Sequence, residues 1–152
     1  MNPSVRTGTR WLTALTIAFA LWATTPRAYA ESLAVIVNRN NPITSLTNPA
    51  VADMYRGEIL HWPNGDRVKL VNRDISAETR RVFYLRVLNA RPDQVFYREG
   101  TPIPIQSVIE RTEDAVVRFV GVIEGAIGYV TLTKLKTMRD DQVKVVLIVE
   151  DP

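Results

Sequence analysis

The chain has 152 residues, no cysteine, one histidine and a formal net charge of +3. The absence of cysteine excludes disulfides, structural thiolate metal sites and a lipid-modified N-terminal Cys. Residues 1–30 hold three of the nineteen Lys and Arg and none of the sixteen acidic residues, so the other 122 are neutral overall; this removes the compositional argument for nucleic acid or an acidic membrane as partner.

Residues 1–30 read as a secretory signal. Arg6 and Arg10 supply a positive start, Trp11 to Ala23 is apolar apart from two Thr, and Ala28-Tyr29-Ala30 is a small-x-small cleavage site. The apolar run is short for a membrane span. The expectation is export to the Gram-negative periplasm, with no membrane anchor after cleavage. Residues 31–152 are then one domain, long enough to bury a core.

Leu33 to Val37 is a continuous apolar, β-branched run, which predicts a strand buried on both faces and paired in parallel. It ends in the loop Asn38 to Pro42. A helix follows, with Asn48 as its cap, Pro49 in the first helical position, Val51, Met54 and Tyr55 on its apolar side, and Gly57 as its stop. Asn64-Gly65 signals a turn. Trp62 fits either a buried plug or a ring that stacks on a ligand, and the plug is the commoner use. His61 has no partner at metal-ligand spacing.

Arg67 to Val71 alternates and forms a second strand, with its apolar part at Val68–Val71. A helix is predicted to open at about Ser76 and run to about Asn89, with Val82, Phe83, Leu85 and Leu88 inward and Arg80, Arg81 and Arg86 on wetter faces. Arg91-Pro92-Asp93 breaks the chain, Asp93 to Arg98 suggests a short helix, and Gly100 to Pro104 is a loop. Thr112 caps the next helix, with Glu113 and Asp114 in its first turn, an Asp114–Arg118 pair, and Ala115, Val116, Phe119, Val120 and Ile123 at helical spacing. Gly125 is placed for a left-handed cap. Gly125 to Val130 turns into a strand, Thr131 to Met138 is a connector with room for a helical turn, and Val143 to Val149 is the last strand. Strands alternating with helical patterns predict one α/β domain.

The stretch with most chemical content is Val71-Asn72-Arg73-Asp74-Ile75-Ser76-Ala77-Glu78-Thr79. It puts Arg73 at the carboxyl end of a strand, where open α/β sheets bind ligands. The following helix start exposes unpaired amides that attract anions, and a guanidinium adds a planar fork of donors. Glu78 works against this. A carboxylate roughly 5 Å from an anion, at an effective dielectric of about 20, costs up to about 3 kcal/mol, on the order of a hundredfold in affinity. The alternative is that Ser76 and Glu78 cap the helix and Arg73 pairs with Glu78 or Asp74.

The ordered set of motifs resembles the phosphate-binding protein family of ABC transporters. The similar stretches are Val35-Ile36-Val37-Asn38 with Asn41-Pro42, Ser45-Leu46 and Tyr55-Arg56-Gly57-Glu58-Ile59 with Trp62-Pro63-Asn64-Gly65, then Val71 to Asp74 through Thr79 and Phe83, and last Gly125-Ala126-Ile127-Gly128-Tyr129-Val130. The resemblance implies one lobe of a type 2 periplasmic binding protein, a small and mostly parallel sheet flanked by helices. Family members usually have two lobes, and this chain has material for about one. Their Gly- and Ser-rich turn ends in Ser-Gly-Thr; here Arg73, Asp74 and Thr79 match, whereas Ala77, or Ser76 in a shorter turn, stands at the serine position.

The resemblance implies a periplasmic module that binds phosphate or a similar oxyanion through Arg73, Asp74, Ser76, Thr79 and the amides of Ala77 and Glu78, with no cofactor. The alternative is a module that keeps the fold, binds no ligand and docks on another envelope protein or an ABC transporter component. An enzyme is disfavoured: there is no Gly-x-Ser-x-Gly elbow, Walker A loop or Gly-x-Gly-x-x-Gly fingerprint.

Overall fold

The computed structural model describes residues 31–150, so the predicted export signal at 1–30 lies outside the described residues. Five strands, β1 (Leu33–Asn38), β2 (Lys69–Arg73), β3 (Val108–Glu110), β4 (Ala126–Thr131) and β5 (Val143–Val149), make one open sheet in the order β3-β2-β4-β1-β5. Helices α1 (Asn48–Arg56), α2 (Glu78–Phe83), α3 (Glu113–Val122) and α4 (Leu132–Met138) flank it. No helix among the described residues is long and apolar enough to cross a membrane.

The predicted α/β class holds, and the strand directions refine it. β2 is parallel to β3 and to β4, while β1 is antiparallel to both β4 and β5. Four strands therefore share one direction and β1 opposes them. Every residue of β1 is buried, as its composition predicts. The cause is its interior position between helical layers on both faces, not parallel pairing. Alternate residues of β1 feed two cores. Leu33, Val35 and Val37 join α1 and α2, whereas Ala34 and Ile36 join Val116, Val117 and Val120 of α3.

Several local expectations move by a residue or two. Thr47, not Asn48, caps α1 by accepting from the Ala50 amide, and Pro49 keeps its place in the first turn. Gly57 ends the helix in the left-handed region, at φ 79°. Gly125 does not cap α3, which stops at Val122. Its requirement is close approach: a Cβ there would lie 2.4 Å from the Arg67 carbonyl oxygen. The Gly125 carbonyl also accepts from the Trp62 indole and the Lys69 amide, both at 2.9 Å. Trp62 is the buried plug, 3% exposed. Gly125→Ala must push the segments leading into β2 and β4 apart and is expected to cost about 1–3 kcal/mol, read as a lower thermal midpoint; an unchanged midpoint would show that the loop yields freely.

Two corrections affect the region around the site. Asp93 to Arg98 forms no helix. Tyr97 bridges Pro104 and the Ile105 amide donates to Phe96 O, so the chain doubles back as an irregular hairpin toward β3. The helix predicted from Ser76 begins instead at Glu78, and past Phe83 it widens into a π-helical turn, Tyr84–Leu88. The wider turn rotates the inward face: Tyr84 and Val87 are buried beside Val82, Phe83 and Leu88, while Leu85 is 56% exposed. Asp114 pairs with Lys134 at 3.0 Å rather than with Arg118.

Candidate functional site

β2 delivers Arg73 at its carboxyl end, next to the start of α2, as the strand and helix patterns predict. The side chain neither lies across Glu78 nor reaches Asp74. Its Nε donates to Glu110 O at 3.2 Å, Nη1 to Thr79 Oγ1 at 3.2 Å and Nη2 to Arg111 O at 3.0 Å. Three donors are thus used to hold the guanidinium between α2 and the end of β3. Of about five N–H groups on a guanidinium, one on each terminal nitrogen is left for a ligand.

The turn that follows is built by Asp74. Its Oδ1 accepts from the Ser76 amide at 3.0 Å and from the Ser76 hydroxyl at 2.6 Å, and its carbonyl accepts from the Ala77 amide at 2.9 Å. This is an Asx turn. Ser76 therefore does not cap the helix. The cap position falls on Ala77, and no side chain caps the first-turn amides. The Ser76 hydroxyl bond, then its amide, hold the Asp74 carboxyl below its usual range.

Glu78 occupies the first helical position, and its carboxylate takes the Arg81 guanidinium at 2.9 Å and 2.5 Å. That bond lowers the Glu78 pKa and raises that of Arg81. The pair is exposed, so its contribution to stability is small. Its effect on the site is to direct the negative charge along the helix surface toward a cation of its own.

Sequence reasoning missed the support beneath Arg73. Asn72, buried among apolar neighbours, takes the Tyr129 hydroxyl on Oδ1 and donates from Nδ2 to the Tyr84 hydroxyl at 2.8 Å. The Arg73 amide donates to Asn72 Oδ1 at 3.0 Å and to Tyr129 Oη at 3.3 Å. Arg80, expected on a wet face, is part-buried. It donates to Pro92 O at 2.8 Å and Arg73 O at 2.9 Å, and lies 4.7 Å over the Tyr84 ring. The only signal in the sequence was an Asn directly after the apolar pair Leu70-Val71 of β2.

Burial pushes the pKa values of the Tyr55 and Tyr129 hydroxyls up, and neighbouring tyrosines add to this. In the unfolded chain both ionise at about pH 10. Their folded values lie higher, so stability is complete below about pH 10 and falls as pH rises past it. Denaturant melts are expected to be level from neutral pH to about 9 and to drop steeply beyond about 10, less steeply in Tyr129→Phe. A profile that stays level to about pH 12 would contradict the burial of these hydroxyls.

A family model described as PBP superfamily domain matches residues 18–149. A protein described as a phosphate ABC transporter substrate-binding protein from Clostridium perfringens, solved with bound phosphate, superposes with a TM-score of 0.61 at 27% identity, over 76% of this chain and 44% of its own. An ABC-type phosphate transport receptor from Vibrio cholerae gives a TM-score of 0.61 at 21% identity, over 76% and 45%. PstS from Borrelia burgdorferi gives 0.62 at 18%, over 76% and 46%. No curated protein matches in sequence. The chain thus has the fold of a single lobe and spans less than half the length of these structural neighbours.

Proposed function

The chain belongs to the PBP superfamily domain family, and on that footing we propose that it is a one-lobe solute-binding module of the periplasm that takes phosphate or a similar oxyanion for ABC-type transport. The observation that carries this reading is the pairing of a braced guanidinium with an open helix start. Arg73 is fixed by Thr79 and two carbonyls, and the first-turn amides beside it have no side-chain cap. Such donors are aligned before the anion arrives, so little reorganisation opposes binding. The predicted repulsion from Glu78 is blunted by Arg81.

The donor set is Arg73, Thr79 and the amides of Ala77, Glu78 and Thr79. Asp74 and Ser76 shape the turn. The Ala77 amide already serves the Asp74 carbonyl, so its share is the smallest. No bond is made or broken in this function. These donors approach the anion from one side, and on its open side water screens the charge, so the affinity of this lobe by itself is modest. Calorimetry with phosphate, sulfate and molybdate tests the reading: saturable heat is expected in the micromolar to millimolar range, and no heat from any of the three ends it.

A second reading draws on two exposed branched residues beside the same turn. Ile75 is 54% exposed and Ile109, paired with Asn72 across the β2–β3 edge, is 49% exposed. An envelope protein or transporter component that covered them would dock on the anion face. Capture of such a partner by the wild type and loss of it in Ile75→Asp would favour that reading.

A further inference from the structure

A second recess lies away from the Arg73 turn. β3 pairs with β2 only from Val71 onward, so Lys69 and Leu70 have no ladder partner on that side. The segment approaching β3 peels away there and leaves a groove of about 510 Å³. None of residues 73–79 lines it. Its walls are largely apolar, with Met54, Leu70, Ile103 and Ile105 among them.

The charge of the lining is one-sided. Arg67, Lys69 and Arg98 belong to it, and it includes no Asp or Glu. All three cations are exposed, and none makes an ion pair or a side-chain hydrogen bond among the described residues. Some surface cations find acids, as in Arg39–Asp141, Arg91–Asp93 and Lys134–Asp114, and others such as Arg118 and Lys136 do not among the described residues; what marks the groove is that its three cations line one cleft with no carboxylate among the lining residues. An apolar cleft of this size, with uncompensated positive charge among its lining residues, suits a ligand with a hydrocarbon body and one anionic head.

We propose that this groove is a binding site for a small amphipathic organic anion, such as a medium-chain or aromatic carboxylate. The inference stands apart from the oxyanion reading, because the two sites share no residue. Laurate below its micelle concentration, titrated calorimetrically into the protein, is the test. One saturable site is expected, with dodecanol and dodecyltrimethylammonium at least about tenfold weaker. Ile103 is 52% exposed, so Ile103→Glu is expected to fold normally. It should weaken laurate by at least about tenfold at an unchanged melting temperature, since it sets a like charge in the cleft. Lys69→Gln combined with Arg98→Gln should weaken laurate while leaving dodecanol alone. The proposal is overturned if laurate does not bind, if the cationic surfactant binds equally well, if Ile103→Glu changes nothing, or if only an acidic apolar peptide is taken up.

Discussion

Phe83→Ala is expected to cost about 3–5 kcal/mol, the largest loss of any single replacement considered. The ring is fully buried, stacked 3.9 Å from Tyr129 at 3° between planes, and meets Tyr55 edge-on at 4.8 Å. Its removal leaves a void that two neighbouring tyrosines cannot fill, because each is fixed by its hydroxyl. Tyr55 Oη donates to Val71 O at 2.7 Å, and Tyr129 is held on Asn72. A cavity with fixed walls retains its full penalty. The check is a urea melt, in which the midpoint should fall with little change in slope. A cost below about 1 kcal/mol would mean that the aromatic cluster repacks.

Arg73→Ala is expected to abolish oxyanion binding and to loosen the β3 edge. The loss of binding follows from charge: the variant removes the guanidinium held on Thr79 in the first turn of α2 and leaves Glu78 and Asp74 in place. A drop of at least about a hundredfold is expected, as for loss of a charge-assisted contact of about 3 kcal/mol. The structural loss follows from Glu110 O and Arg111 O, which give up a donor, although both lie near solvent and can recruit water. The melting temperature should therefore fall only slightly. Arg73→Lys separates the two effects. A single ammonium cannot span Thr79 and two carbonyls, so binding should weaken even though the charge is kept. Equal phosphate affinity in Arg73→Ala would place the anion elsewhere.

Much of this architecture could be read from the residues. Leu33 to Val37 declared a fully buried strand because its run has no polar break, and Thr112 with two acids after it declared the start of α3. The direction of β1 was not legible, since a strand covered on both faces looks the same whichever way its neighbours run. β3 escaped because it has three residues, two of them exposed, and so shows no period. The π-helical turn escaped because one widened turn moves Leu85 out and Val87 in without altering composition.

Legibility within the site divides along the same line. That Arg73 would stand at a strand end beside a helix start was plain, because both patterns are local. Its partners were hidden, because two of them are main-chain carbonyls 37 and 38 residues away, and a carbonyl leaves no mark on sequence. Whether Ser76 capped the helix or closed a turn on Asp74 was open, since Asp-x-Ser suits both. Three-dimensional packing decided for the turn, and that choice is what leaves the amides of α2 uncapped.

The most direct measurement is an amide-resolved NMR titration of the protein with inorganic phosphate at low ionic strength. Saturable shifts are expected at Arg73, Ala77, Glu78 and Thr79, with little change at Lys69, Arg98 or Ile103, and loss of the response in Arg73→Ala. Phosphate at millimolar concentration that leaves these four amides in place, or that moves the β2 groove instead, would contradict an anion site at Arg73 and the start of α2.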